Sequence, residues 1–158
     1  MDGSKYNTLL DNLKASSSLP FISKPYIISN VPHLDGGLTD PISFKRALEL
    51  GYEKIVVILT QPSSYVKELL KLPGFLQSKY KKYPKILKAL KNRHDLYNKQ
   101  RDDLFQLYEE GKAFIIMPPT KIPAKRIDKN LKRLHRAYDS GYEYICAHGD
   151  ALKRFLKL

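Results

Sequence analysis

The residue best placed to do chemistry is Asp35, which follows a β-rich segment and precedes Gly36 and Gly37. A carboxylate at a strand end, in a loop that two glycines allow to turn sharply, is open enough to take a proton from a neighbouring group. The same residue types also form ordinary tight turns, because Asp-Gly is a common hairpin signal. The local motif therefore supports two interpretations, a general base or a turn.

The other residues of reactive type have structural interpretations. Ser16, Ser17 and Ser18 stand at a predicted helix end, where hydroxyls usually bond free backbone groups, so we expect no nucleophile among them. Cys146 lies among apolar residues of a predicted helix and is expected to be buried. The histidines lack the paired spacing of a metal site: His33, His94, His135 and His148. We predict no metal and no cofactor.

A group of lysines forms a second candidate surface. Their spacing predicts that they share roughly one helical face: Lys81, Lys85, Lys88 and Lys91. Tyr80 and Tyr83 stand beside them in the sequence. Such a stripe suits anionic headgroups or phosphates, and an ordinary solvated helix face is the alternative. No nucleic-acid motif accompanies it, which argues against nucleic acid as the partner.

The elements that must position these residues alternate between helix and strand. The run 54–60 is almost continuously apolar, as in strands of a sheet covered by helices on both faces. It follows a short helix that Gly51 closes, and it predicts a βαβ-like arrangement. Pattern and breaker residues predict helices over 7–15, 41–50, 84–110, 128–141 and 142–156, strands over 26–31, 54–60 and 113–117, and an exposed excursion over 61–82. Asp128 is the predicted cap of its helix.

Length and composition set the broad class. A chain of 158 residues with 42% hydrophobic content predicts one unit, in which residues 1–60 carry the motifs and residues 61–158 are basic and mostly helical. The whole excess of positive charge lies in residues 61–158, which attracts anionic surfaces. A single cysteine and the absence of an 18-residue apolar run favour a cytoplasmic protein whose membrane contact, if any, is peripheral.

Two motifs taken together resemble a known family. The segment Ala15 to Pro20, followed about fifteen residues later by His33 to Ile42 with its Asp-Gly-Gly, is similar to the downstream half of bacterial patatin-like phospholipases. The strand 54–60 and the long helix that ends in Tyr108-Glu-Glu-Gly also fit. The resemblance extends from about Tyr6 to Phe155, and neither motif would be specific alone.

The resemblance implies a fold and a mechanism. The fold would be part of a three-layer α/β/α sheet followed by a helical C-terminal region. The family's catalytic dyad pairs a serine on a nucleophile elbow with an aspartate that acts as general base on a lipid ester, and that aspartate would be Asp35. None of the eight glycines forms Gly-x-Ser-x-Gly, so we predict that the chain by itself is inactive.

Three hypotheses follow for the chain as a whole. It is the aspartate half of a lipid acyl hydrolase, or a non-catalytic basic module for anionic lipid surfaces or nucleic acid. In the third, a separate chain supplies the serine half. Without that half a sheet edge should be uncovered, which predicts self-association. The family resemblance favours a lipid or acyl ester as substrate and makes membrane contact the better interpretation of the lysines.

Overall fold

A computed structural model of the protein describes residues 3–125 and 127–158, so that Met1, Asp2 and Arg126 lie outside the described residues. The chain is of mixed α/β type, which confirms the predicted class at this coarse level. Its helices and strands are α1 (Gly3–Ser16), β1 (Tyr26–Ile28), β2 (Val31–His33), α2 (Lys45–Glu49), β3 (Ile55–Ile58), α3 (Gly74–Lys79), α4 (Pro84–Glu109), β4 (Ala113–Ile116) and α5 (Leu131–Leu156).

The described residues form two compact units, and each unit is built from two separate segments of the chain. The first unit comprises the residues up to Ile42 together with Lys67–Gln100. The second comprises Ser43–Val66 together with Arg101–Leu158. Both units therefore take segments from either side of position 60, and the long helix α4 supplies residues to both.

The strand predicted over 26–31 is confirmed over Tyr26–Ile28 and is wrong beyond it, because the chain there turns back in a tight hairpin. β1 and β2 pair antiparallel, with Ile28 opposite Val31. The two residues between the strands, Ser29 and Asn30, have φ angles of 48° and 63°. Left-handed values at both central positions are typical of the type I′ turn that joins paired strands. The hairpin ends just before Asp35 and so places this residue at its exit.

β3 and β4 form a parallel pair within the second unit, in a register that places Ile55 opposite Ala113 and Ile58 opposite Ile116. Parallel strands need a long crossover, and here the intervening chain includes α3 and α4. The connection from β3 to β4 is therefore such a crossover. The predicted βαβ-like arrangement, in which the helix 41–50 would join the strand before Asp35 to the strand 54–60, is wrong, because β2 pairs with β1 and not with β3.

One face of β3, the face that carries Val56 and Ile58, is exposed. Ile55 and Leu59 are buried, whereas Val56 is exposed and Ile58 is 72% exposed. Successive residues of a strand point to opposite faces, so one face packs on the core and the other does not. The expectation that both faces of this strand are covered is wrong for the chain by itself.

The helices confirm most of the predicted pattern, with one correction at the C-terminal end. α4 begins at Pro84 as predicted, and Gly51 and Gly111 take the left-handed φ angles of 86° and 69° that follow a helix end. The two helices predicted on either side of Gly141 are one continuous helix, α5. α5 contains two glycines, Gly141 and Gly149, and each costs only about 1 kcal/mol relative to alanine, which the other 24 residues offset.

The start of α5 is capped by Asn130, whose side-chain oxygen accepts a hydrogen bond from the Arg133 backbone amide at 3.2 Å. The prediction that Asp128 is the cap is wrong. Its carboxylate instead accepts hydrogen bonds from the backbone amides of Lys125 and Asn130, at 3.0 and 2.9 Å, and pairs with the Arg133 guanidinium. Asp128 thus orders the turn that precedes the helix.

This arrangement predicts acid sensitivity at the start of α5. The backbone amide of Lys125, then that of Asn130 and the Arg133 side chain lower the pKa of Asp128 from 3.8 to about 2. Because the folded-state pKa is depressed, the charged carboxylate stabilises the fold above about pH 4, and this contribution is lost as the pH falls toward 2. Helicity should fall over this range in the wild type, and Asp128→Ala should remove that step, as circular dichroism would measure.

The control for this experiment is Asp150→Ala, since the Asp150 side chain is 86% exposed on the same helix. We expect its acid transition to match that of the wild type. An unchanged transition in Asp128→Ala would contradict the assignment.

Candidate active-site loop

Asp35 lies in a loop whose backbone is fixed on both sides of the carboxylate. Its amide donates to the Ser18 carbonyl at 2.8 Å, and its Oδ1 accepts from the Gly37 amide at 2.7 Å. The second bond caps a single 3-10 turn over Gly36–Leu38, whose last side chain is buried. Asp35 itself is half-buried. The loop therefore holds the carboxylate in one orientation.

The two motifs of the sequence meet in this loop. Besides the bond from Asp35 to Ser18, a Cβ placed on Gly36 would lie 3.9 Å from the Ser16 Oγ. Ser18 is buried and its hydroxyl donates to the Lys14 carbonyl at 2.9 Å. Ser17 similarly bonds the carbonyls near the end of α1. For Ser17 and Ser18 this confirms the prediction that the hydroxyls bond free backbone groups of the helix end.

Two side chains of α4 complete the loop. The Arg93 Nε donates to the Gly37 carbonyl. Gln100 is 4% exposed, donates from Nε2 to the Asp40 carboxylate at 2.6 Å and accepts at Oε1 from the Ile42 amide at 3.0 Å. One helix thus holds the loop at its centre and at its end. These contacts all lie within the first unit.

The carboxylate retains capacity for chemistry. Oδ1 is occupied by the turn, whereas Oδ2 has no hydrogen-bond partner among residues 3–125 and 127–158. A carboxylate accepts through two oxygens, so one can serve the turn while the other takes a proton from a group brought close to it. The turn interpretation and the base interpretation of Asp35 are therefore compatible.

Arg93 and Gln100 were not among the residues singled out from the sequence. They occur at helical spacing along the same stripe as the buried Leu90 and Leu104. A polar residue at a position where the periodicity requires an apolar one is a signal for a buried hydrogen-bonding role. Gln100 is such a residue and was visible in the sequence. The loop as the partner of both residues was not.

Alanine substitutions at Gly36 and Gly37 should differ in their effect on stability. A Cβ on Gly37 would lie 2.9 Å from the Asp35 Oδ1, so Gly37→Ala should displace the carboxylate and break the cap. Loss of such a cap costs about 1 kcal/mol. Gly36→Ala is the control, because its Cβ would make only an ordinary contact. Denaturant unfolding should show a midpoint shift for Gly37→Ala that exceeds the shift for Gly36→Ala, and equal shifts would contradict the contact.

The lysine surface differs from its prediction in two respects. Lys85, Lys88 and Lys91 lie exposed on α4, but Lys81 lies in the turn before the helix, so the four do not share one helical face. Pro84 begins the helix, which sets this limit. Tyr80 is not part of this surface, because it is 4% exposed. Its ring packs edge-on against Phe21 at a centroid distance of 5.0 Å. Tyr83 remains exposed.

The remaining candidates take surface or structural positions. Cys146 is exposed, so the prediction of burial is wrong. Cys146 lies nine positions before Phe155, so the two side chains point to opposite sides of the helix. Phe155 packs on β4, and Cys146 therefore faces away from it. His33, His94 and His148 place Nδ1 2.8 Å from backbone carbonyls. Among the described residues no group of three or more possible metal ligands occurs, and none of the helices is long and apolar enough to cross a membrane.

Comparison with known proteins gives one match. Residues 83–157 match the family model described as a domain of unknown function, DUF6363. The match covers just under half of the chain and contains α4, β4 and α5, whereas the Asp35 loop lies before it. Arg93 and Gln100, which hold that loop, fall inside the DUF6363-like region. No curated protein and no solved structure matches the chain.

Proposed function

We propose that the chain is the aspartate-bearing half of a patatin-like serine lipid acyl hydrolase, with Asp35 as the general base. The reaction is attack of a serine hydroxyl on an ester carbonyl, during which the Asp35 carboxylate takes the hydroxyl proton. The protonated Asp35 then gives this proton to the departing alcohol oxygen as the ester C–O bond breaks, which leaves the acyl group on the serine. A water molecule that gives its proton to the same carboxylate attacks this acyl-enzyme, and the proton returns to the serine oxygen as the acid is released. In this chain the serine is missing, so the chain alone should be inactive.

The observation that carries this proposal is the contact between the two motifs. The Ala-Ser-Ser segment and the Asp-Gly-Gly loop are joined by the 2.8 Å bond from the Asp35 amide to Ser18. The loop leaves one carboxylate oxygen without a partner among the described residues. A base that is held rigidly through one oxygen and open at the other suits transfer of a proton from a serine that approaches from another segment.

The proposal also accounts for the uncovered surface of the second unit. Among the described residues β3 pairs with β4 alone, so its other edge has unpaired backbone groups, and the apolar side chains of Val56 and Ile58 are exposed. In a three-layer patatin-like sheet, neighbouring strands and a covering layer from the serine half would occupy this position. With that half absent, the same edge is available to a second copy of the chain.

The direct test is the presence of the nucleophile. DNA in frame upstream of Met1 should encode a glycine-rich loop and then Gly-x-Ser-x-Gly, or a separate chain with those motifs should bind this one. A fluorophosphonate probe should label that serine in the combined protein and should label nothing in the 158-residue chain. If neither an upstream segment nor a bound chain supplies such a serine, the proposal fails.

A second candidate function, a basic module for anionic lipid surfaces, is favoured by the charge distribution. Between Glu68 and Asp95 the chain has eight lysines and arginines and no acidic residue. The exposed lysines of α4 lie in this segment with Tyr83, and polybasic surfaces with aromatic residues bind anionic bilayers. This is also the basis for proposing peripheral membrane contact for the hydrolase.

Vesicle flotation separates this function from simple solvation of the helix. The chain should float with phosphatidylserine vesicles at low salt and not with phosphatidylcholine vesicles. Replacement of Lys85, Lys88 and Lys91 with glutamate should abolish flotation, and the same exchange at Lys14, Lys24 and Lys99 should weaken it less. Binding of an oligonucleotide without binding of vesicles would favour nucleic acid instead, and no binding of either would remove the second candidate.

A further inference from the structure

One segment of the first unit is held to the rest of that unit at both of its ends. At its start, the Asn98 side chain donates to the Lys67 carbonyl at 3.0 Å and accepts from the Lys67 amide at 2.8 Å. At its end, Tyr80 is buried, and its hydroxyl accepts a hydrogen bond from the Phe21 amide at 3.2 Å. We call the residues between these two attachments, 68–79, the anchored segment.

The anchored segment contains a turn that presents an exposed aromatic ring. The Gln77 side chain donates to the Leu72 carbonyl at 2.8 Å, and the Gln77 amide donates to the Pro73 carbonyl at 3.1 Å. These two bonds close the turn with which α3 begins. Phe75 directly follows the start of α3, and it is 73% exposed. The fold therefore holds this ring out to solvent on a turn that has its own hydrogen bonds.

Exposed lysines accompany the exposed apolar residues of this region. In chain order these residues are Leu69, Leu70, Lys71, Phe75, Lys81 and Lys82. After Glu68 no acidic residue occurs before Asp95. Chain connectivity alone keeps the backbone of Lys71 within about 14 Å of Phe75. On the other side, α3 rises only about 9 Å over its six residues before Lys81 is reached. The apolar side chains thus lie among cations.

We propose that the anchored segment inserts Leu69, Leu70 and Phe75 into the surface layer of an anionic phospholipid bilayer. Leucine and aromatic side chains enter the boundary between headgroups and acyl chains, and lysines beside them reach the phosphates with their ammonium groups. Charge complementarity selects this occupant, since the lysines are attracted to an anionic surface. A bilayer offers that surface and an apolar phase directly behind it.

The inference deepens the second candidate function, on which it rests, and it is independent of the proposed hydrolase. The lysines of α4 would hold the chain at a bilayer surface by charge alone. The anchored segment adds penetration by apolar side chains. The two modes can be told apart, because binding by charge alone leaves the side chain of Phe75 in water.

Tryptophan fluorescence gives the test, because the chain contains no tryptophan. In Phe75→Trp the single indole reports on the anchored segment. With vesicles of phosphatidylserine and phosphatidylcholine its emission should shift to shorter wavelength, and lipids brominated in their acyl chains should quench it. Vesicles of phosphatidylcholine alone should leave the emission unchanged. Phe75→Ala should weaken partition into the anionic vesicles about tenfold, as loss of one buried phenylalanine side chain predicts.

Tyr52→Trp is the matched control. Tyr52 is 62% exposed in the second unit, and residues 46–58 around it carry two acidic and two basic residues. Its emission should stay the same on the anionic vesicles, and Tyr52→Ala should partition as the wild type does. Circular dichroism of each variant checks that the helices are still formed.

Three results would overturn the proposal. If the chain floats with anionic vesicles while Phe75→Trp keeps the emission of an indole in water, insertion is refuted and the second candidate function stands. If the chain does not bind these vesicles, both are refuted. If the emission shifts when the protein concentration is raised without vesicles, the segment belongs to an interface with a second copy of the chain.

Discussion

In the hydrolase that we propose, completed by its serine half, Asp35→Asn should abolish ester turnover while the fold stays intact. Asparagine keeps an acceptor oxygen at the same position, so it can still accept the 2.7 Å bond from the Gly37 amide and cap the turn. It cannot take a proton from serine. General-base catalysis typically contributes 10²- to 10⁴-fold, and turnover of a short-chain nitrophenyl ester should fall by roughly that factor.

The control for this substitution is Asp95→Asn. Asp95 lies in the same unit as Asp35, and its side chain is 79% exposed. We expect turnover close to that of the wild type, and an unchanged unfolding midpoint for both variants. Near-normal turnover by Asp35→Asn would leave Asp35 with its turn role only and would remove the dyad assignment.

The long elements could be predicted from the sequence because their ends carry breakers and their interiors carry one period. α4 has Pro84 at its start and Gly111 beyond its end, and its core side is marked by Leu90 and Leu104. β4 is a short apolar run between a glycine and two prolines. In each case local propensity and tertiary packing favour the same structure.

The sequence did not predict those elements in which one or two residues decide between two local structures. A run such as Tyr26 to Val31 is β-rich whether it forms one strand or a hairpin, and only the left-handed turn at Ser29 and Asn30 decides between them. Similarly, a glycine often ends a helix, but Gly141 remains helical because the turns on both sides of it are helical. A single glycine does not end a helix when the residues on both sides of it favour the helix.

The candidate site also has a part that the sequence predicts and a part that it does not. The Asp-Gly-Gly loop was predicted from its residue types, because a turn and its cap are local features. The bonds that fix the loop come from Arg93 and Gln100, 56 and 60 residues away from their partners Gly37 and Asp40. Periodicity can mark such a polar residue as buried, but it does not say what the side chain bonds. That information depends on the tertiary fold.

Gln100→Leu should be the most destabilising of the single substitutions in the loop's support. Leucine has nearly the same size, so the main change is the loss of the hydrogen bonds to Asp40 and from Ile42. Ile42 is buried, and its amide would then lie without that partner. A buried donor left unpaired costs about 1–3 kcal/mol, which corresponds to a fall of roughly 5 °C in Tm for a chain of this size.

Gln106→Leu on the same helix is the control, since the exposed Gln106 side chain donates a surface hydrogen bond to Glu110 and its loss should cost under about 0.5 kcal/mol. Hydrogen exchange of the Ile42 amide gives a second readout. Because Gln100 is the acceptor for that amide, Gln100→Leu should accelerate its exchange more than that of amides inside β4. Equal acceleration at both places would indicate a global loss of stability and would contradict a specific role of Gln100 in holding the end of the Asp35 loop.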